Sequence, residues 1–301
     1  MNRILILTLV LLSLIWGGSY YFIKILLEDF GPWTIAFLRS SLGLLTISAI
    51  MLLTGKEFGL KKIPWLPMTI MALINTAIPW AIIGFSETRL TSSFASVLNA
   101  TTPLWAIVVG LLFFNSKTDR YKLLGMGTAI FGLVILLGLE PGSVVSVDLL
   151  GFFGMILASL FYAIGSYLSK RLSERLSMYQ VTFGTLLCCM AGSGGAALAT
   201  EKITLTGLYN LTTLAAWAGL GILGSGIAYI LFYFLVQNGG PEIATMVTYL
   251  IPVSGIIWGS TMLNEEIHFS LITGLVFILG GIYLAGKKIP EKTAENLKVS
   301  S

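Results

Sequence analysis

Ten residues set in otherwise apolar stretches carry the groups that could bind a small solute: Trp16, Ser19, Arg39, Trp80, Asn99, Thr102, Tyr162, Ser166, Tyr229 and Thr248. Arg39 is the one cation well inside an apolar stretch, and an ionisable group there is a functional candidate by default. It would meet the carboxylate of a solute, or it would anchor structure by binding helix-end carbonyls or snorkelling outward. Trp16 and Tyr162 lie near the centres of their stretches, too deep for an interfacial aromatic belt. They fill lipid-facing or inter-helix space, or they wall an aqueous cavity that accepts a partly apolar solute. Trp80 and Tyr229 form a second such pair.

Other chemistry is absent. No Asp, Glu or His lies at the centre of an apolar stretch. Glu87 and Glu265 sit at stretch ends, and the single histidine, His268, follows in a loop. Ion coupling, if present, would have to use these peripheral groups. Metal sites and intramembrane proteases need several His, or a Ser with a nearby base, so neither metal, cofactor nor enzymatic activity is expected. Cys188 and Cys189 are adjacent and read as small apolar residues rather than a disulfide. The glycines at 219, 221, 224 and 226 lack the Lys-Ser/Thr of a phosphate loop. They suggest close packing or a flexible segment.

The elements that must position these residues follow from composition. Of 301 residues only 32 are charged, 11%, while 56% are hydrophobic and 33 more are glycine. A soluble domain carries about 25% charged residues, so a soluble enzyme, a disordered chain and a nucleic-acid binder are all excluded. A membrane-spanning helix needs about 20 mostly apolar residues. Ten stretches qualify: 4–24, 33–53, 64–86, 92–114, 122–139, 149–169, 178–199, 212–236, 243–263 and 269–286. Period-2 alternation is missing, which excludes a transmembrane barrel. The expected fold is an all-α integral membrane protein of one domain, 1–301. With the N-terminus inside, 14 cations fall in inner segments and three (Lys24, Arg89, Lys202) in outer ones. That split predicts ten spans with both termini cytoplasmic, including a tail at 287–301.

The chain also resembles itself. Ser13 to Lys24 aligns with Ser159 to Lys170. Further on, Ser96, Asn99, Pro103, Ala106 and Gly110 align with Thr245, Thr248, Pro252, Gly255 and Gly259. The first apolar stretch is thus repeated as the sixth, which a cleaved signal would not be. Repeats at 4–139 and 149–286 hold five spans each, and five being odd, they would enter the membrane from opposite sides. Inverted repeats are an architecture of secondary transporters, with the solute site between the halves. Pro103 and Pro252 are expected helix breaks near that site, the alternative being packing kinks. The small-residue faces around them, with Gly255 and Gly259 as a GxxxG pair, suit close helix packing at one end and a solute at the other.

Several motifs resemble the drug/metabolite transporter superfamily, in its ten-helix EamA type. They are Trp16-Gly-Gly-Ser19 with Lys24, Ala36-Phe-Leu-Arg39, the segments Ala95 to Pro103 and Ala244 to Pro252, and Leu263-Asn-Glu265 followed by Gly274. Two positions depart from the pattern: Ser116, where the family usually has Glu, and Ala163-Ile164 in place of the glycine pair. The resemblance implies a bacterial-type inner-membrane transporter, usually an exporter of amino acids or related metabolites by alternating access, and YddG-like members export aromatic amino acids. The partners expected are a small-molecule substrate and the lipid bilayer, with monomer and homodimer both open. A passive channel or lipid scramblase would suit the repeat as well.

Overall fold

The computed structural model describes residues 2–113, 120–137, 147–202 and 210–286. Ser116, Glu140 and the 287–301 tail lie outside the described residues. Every regular element among the described residues is helical. In chain order these are α1 (Arg3–Leu26), α2 (Pro32–Leu53), α3 (Trp65–Glu87), α4 (Ser92–Phe113), α5 (Arg120–Leu136), α6 (Leu149–Ser173), α7 (Met178–Thr200), α8 (Leu211–Gly239), α9 (Ile243–Met262) and α10 (Phe269–Ala285). Eight of them are long and apolar enough to cross a membrane. α10 is a shorter apolar helix, and α5, of 17 residues, opens on Arg120 and Lys122.

The helices start where side chains can satisfy free amides. Ser177 and Gln180 form a reciprocal capping box at α7, and Thr91 caps α4 locally. Asp148 opens α6: it accepts from the Gly151 amide at 2.9 Å and from Arg89 Nη1 at 3.0 Å. The Gly151 amide first, helped by Arg89, holds the Asp148 carboxyl below the usual carboxylate range. The stabilisation it gives is therefore complete above the ordinary value near 3.8 and is lost as pH falls through the lower folded value. Acidification through that window should lower the thermal midpoint of the wild type more than that of Asp148→Asn. Parallel acid curves for the two would remove this carboxylate from the account.

Packing relies on small residues, as expected where lipid gives no hydrophobic drive between helices. α5 lies along α10, α2 along α7, and α1 along α9. α8 packs on α1 and α2, α3 packs on α6 and α7, and α4 sits between α6 and α9. A Cβ on Gly125 would strike the Gly281 carbonyl, and one on Gly281 would come 2.6 Å from the Ala129 amide nitrogen. Gly17 packs in the same manner on Ile251, Ser254 and Gly255. Polar side chains add cross-helix ties: Ser254 Oγ donates to Ser13 O at 2.6 Å and Trp258 Nε1 to Leu14 O at 3.0 Å. Large apolar side chains such as Leu7, Leu53, Phe153 and Phe269 project outward, a surface that suits lipid and not water.

Four interruptions shape the interior. α3 contains a π-helical segment at Leu73–Ala77, and α8 contains one at Ala218–Ile227. α4 breaks at residues 100–101, immediately before Thr102 and Pro103, and α9 breaks at Met246. Pro103 thus marks a helix break, but Pro252 does not. It lies inside the continuous helix Val247–Met262, and the break falls six residues earlier. A proline removes one hydrogen bond and need not end a helix whose neighbours hold it. At Pro103 the carbonyl left free is that of Asn99, which accepts the Thr102 hydroxyl at 2.8 Å instead.

Cross-contacts define the two ends of the bundle. At one, here the Glu265 end, Arg89 meets Asp148, Glu201 reaches the start of α2, and Glu265 reaches the start of α4. At the other, the Lys56 end, Gln180 Nε2 donates to Glu57 O at 3.3 Å.

Candidate functional site

A cavity of about 220 Å³ lies between six of the helices named above and α9. α1 contributes Trp16, Ser19, Tyr20 and Ile23, and α3 contributes Asn75, Thr76, Trp80 and Ile83. Arg39, Asn99, Tyr162, Gly224, Tyr229 and Ile251 complete the wall. Seven of the ten wall residues proposed from sequence therefore converge: Trp16, Ser19, Arg39, Trp80, Asn99, Tyr162 and Tyr229. The other three do not line it. The Thr102 hydroxyl serves the Asn99 carbonyl. Ser166 and Thr248 are exposed, and their hydroxyls turn back on the carbonyls of Ala163 and Thr245.

The aromatic pairs read from the repeat meet here. Trp16 and Tyr229 pack edge to face with centroids 6.3 Å apart, and Trp16 also contacts Phe232 at 5.7 Å. The indole of Trp16 donates to Gly224 O at 3.2 Å. That carbonyl belongs to the π-helical segment of α8, where the regular hydrogen-bond ladder is interrupted. The glycines of this segment let α1 and α2 approach: Gly219 faces Phe22, Gly221 faces Leu42 and Gly226 faces Thr46. Close packing, not a phosphate loop, accounts for them.

Arg39 neither snorkels nor caps a helix end. It is 8% exposed and its guanidinium carbon sits 3.7 Å from the Trp80 ring centroid, a cation–π geometry. Its Nε donates to Ser225 Oγ at 2.8 Å, and Ser225 Oγ donates to Leu220 O at 3.2 Å. This chain ties α2 to the π-helical segment of α8 and fixes the guanidinium against the cavity wall. Among the described residues no acidic side chain pairs with Arg39; the ion pairs are Lys62–Glu57 and Arg89–Asp148.

The cavity continues toward the Lys56 end. A second chamber of about 170 Å³ shares Trp16, Asn75 and Tyr229 with the first and extends to Ser173, Met178 and Tyr233. A third, of about 490 Å³, shares Met178 and Tyr233 and reaches Lys56, Glu57 and Gln237. Between them Tyr233 Oη bonds Thr182 Oγ1 at 2.5 Å and donates to Met178 O at 3.0 Å.

The Glu265 end is closed by matched clasps. Glu201 accepts the Trp33 amide at 2.8 Å, the Thr34 amide at 2.9 Å and the Thr34 hydroxyl at 2.7 Å. Glu265 accepts the Ser92 amide at 2.7 Å, the Ser93 amide at 2.9 Å and the Ser93 hydroxyl at 2.5 Å. Each carboxylate thus spans two free amides at a helix N-terminus, where negative charge is favoured. Lys24 Nζ donates to Glu87 O at 2.5 Å and to Leu90 O at 2.9 Å. Glu87 is not peripheral as its position at a stretch end suggested: it is fully buried. The C-terminal end of α3 is covered because α1, α4 and α6 pack over it.

Tyr20, Asn75 and Thr76 were not singled out from sequence. Tyr20 follows Trp16 by one turn, and Asn75 is an amide in an apolar run; both signals were available. The π-helical turn that aims Asn75 inward was not. Cys188 and Cys189 are buried and free, and among the described residues no cluster of His, Cys, Asp and Glu is placed to hold a metal.

A bundle of apolar helices around a buried, cation-bearing cavity defines an integral membrane protein with a central cavity. The sequence profile of the EamA-like transporter family matches residues 3–138 and again residues 149–286, and the chain belongs to that family. Among its relatives, an uncharacterized transporter of Archaeoglobus fulgidus is 28% identical, covering 96% of this chain and 99% of that protein. The uncharacterized inner membrane transporter YedA of Escherichia coli K12 is 26% identical over 93% of this chain and 91% of its own length. The uncharacterized transporter YoaV of Bacillus subtilis is 23% identical over 90% and 93%. A solved protein crystal structure matches with a TM-score of 0.67 at 16% identity, covering 95% of this chain and 97% of the other; it shares the fold.

Proposed function

We propose that this protein is a secondary transporter that exports small amphipathic metabolites bearing a carboxylate, such as amino acids, by alternating access. The observation that carries the reading is the buried Arg39 guanidinium, fixed on an aromatic cavity wall with no acidic partner among the described residues. A solute carboxylate would supply the missing charge, and Trp16, Trp80, Tyr162 and Tyr229 would take its apolar part.

Ten spans in two inverted halves are part of this proposal. The twice-matching profile supports it, as do the π-helical segments in both α3 and α8. Helix neighbours support it too: exchanging each of α1–α5 with its partner five helices on turns α1–α8 into α6–α3 and α2–α8 into α7–α3, and all four pairs are in contact. The charge split supports a cytoplasmic Lys56 end, and with that orientation the chain of chambers would open inward, ready to load a solute for export.

Uptake by purified protein in proteoliposomes tests this. L-phenylalanine flux should saturate and be stimulated by phenylalanine on the opposite side. Trp16→Ala should cut it about three- to tenfold, the worth of a lost aromatic contact, with insertion unchanged. Linear flux without exchange would make the protein a channel, and wild-type rates in Trp16→Ala would remove the cavity from the pathway.

A further inference from the structure

The inner wall of α3 presents Thr76, Trp80 and Ile83 to the cavity, and the next residue in that 4, 3, 4 spacing is Glu87. Glu87 is 0% exposed, and neither of its carboxyl oxygens has a hydrogen-bond partner. Its two neighbours of the same type behave otherwise: Glu201 and Glu265, at the same end of the bundle, each accept three hydrogen bonds. Those two cap the starts of α2 and α4. A carboxylate removed from water and from every donor carries an uncompensated charge, which the neutral acid does not. The surroundings of Glu87 suit the acid.

The charged and titratable groups facing Glu87 are few. α1 brings Lys24 and Tyr20, α2 brings Arg39, and the segment between α9 and α10 brings Glu265. α4 brings the Ser92 hydroxyl, itself without a partner. α6 lays Gly151 and Gly154 against Ser86, Arg89 and Leu90, and Arg89 is committed to Asp148. Lys24 is the natural counter-ion, yet its ammonium is spent on the backbone carbonyls of Glu87 and Leu90. That contact also ties α1 to the closed end of α3.

We propose that Glu87 is a proton-binding site that exchanges one proton for each solute exported, with Lys24 as its alternate partner. The inference rests on the transport reading above. In the state described, Glu87 holds its proton and Lys24 locks the Glu265 end. As solute loads, the Glu87 O–H bond breaks and the proton passes to water in the cavity, one helical turn away past Ile83. The new carboxylate takes the Lys24 ammonium, which leaves the carbonyls of Glu87 and Leu90 and frees that end to open. After solute departs, a proton from the outer water re-forms the acid, and Lys24 returns to the two carbonyls.

Infrared difference spectra of the full-length protein in nanodiscs test the site without any solute. The wild type should show a protonated-carboxyl C=O band that vanishes on alkaline titration and is missing in Glu87→Gln. A wild-type spectrum lacking that band, or its persistence in Glu87→Gln, overturns the proposal. Proteoliposomes loaded with L-phenylalanine and a trapped pH dye test the coupling. An imposed pH gradient should drive phenylalanine movement with counter-movement of protons in the wild type. Glu87→Gln, which offers Lys24 no carboxylate and so keeps that end locked, should lose both the driven component and phenylalanine–phenylalanine exchange while its thermal midpoint stays at or above that of the wild type, which shows that it folds; exchange at the wild-type rate in it overturns the proposal. Exchange in the wild type with no response to the gradient refutes coupling and leaves transport standing. Absence of phenylalanine exchange in the wild type counts against the solute reading, and the infrared band then decides Glu87 alone.

Discussion

Arg39→Gln is expected to weaken binding of a carboxylate solute by about 10- to 150-fold, since a hydrogen bond to a charged group is worth about 1.5–3 kcal/mol and 1.4 kcal/mol is one factor of ten. The half-saturation concentration for L-phenylalanine uptake should rise accordingly. Phenethylamine, which has the same ring and no carboxylate, should bind the variant at least as well as the wild type, because a buried positive charge has been removed from its path. Arg39→Lys keeps the charge but loses the planar stack on Trp80 and the Nε bond to Ser225. It should fall between the two, as expected where fork geometry matters. Equal loss for phenylalanine and phenethylamine in Arg39→Gln would mean that Arg39 only braces α2 against α8, and the carboxylate assignment would fall.

The second large effect lies in the contact between α5 and α10, far from the cavity. Gly281 meets the Gly125 carbonyl and comes 2.6 Å from the Ala129 amide through its hypothetical Cβ, so the obstacle is backbone and cannot turn away. Gly281→Ala should cost about 1–3 kcal/mol, the usual penalty of overpacking. Gly280→Ala, on the neighbouring residue with nothing within 4 Å of its Cβ, should instead stabilise α10 by about 0.5–1 kcal/mol, through helix propensity alone. Thermal midpoints of the two variants in one detergent settle the matter. If both move in the same direction, close approach of α5 and α10 is not what holds them.

The contrast between these adjacent glycines marks where sequence reasoning runs out. Hydropathy and charge place the apolar stretches within a few residues of the helices, since each run of about 20 apolar residues can satisfy its backbone only as a helix. The 122–139 stretch is helical over Arg120–Leu136 and the 269–286 stretch over Phe269–Ala285. Internal alignment also pairs Trp16 with Tyr162 and Trp80 with Tyr229, and all four line one cavity.

Which side of a helix faces inward is a different question. Thr102, Ser166 and Thr248 looked equivalent to Asn99 and Ser19 by type, yet only Asn99 and Ser19 line the cavity. Pro252 looked equivalent to Pro103, yet α9 runs through it. A π-helical turn inserts one residue and rotates everything beyond it by about 100°. The segments at Leu73–Ala77 and Ala218–Ile227 therefore reset the faces of α3 and α8 in a way that no fixed period reveals.

The amino-acid sequence by itself determined that this is an all-helical membrane protein of the EamA type with one deeply placed arginine, because backbone satisfaction in lipid and charge at the interfaces are local requirements. Tertiary structure alone decided that Arg39 turns onto Trp80 and Ser225 instead of outward, that Glu201 and Glu265 are caps, and that Glu87 is buried with no donor. Those outcomes depend on what neighbouring helices leave open or fill, and residues as far as 186 positions apart supply the partners.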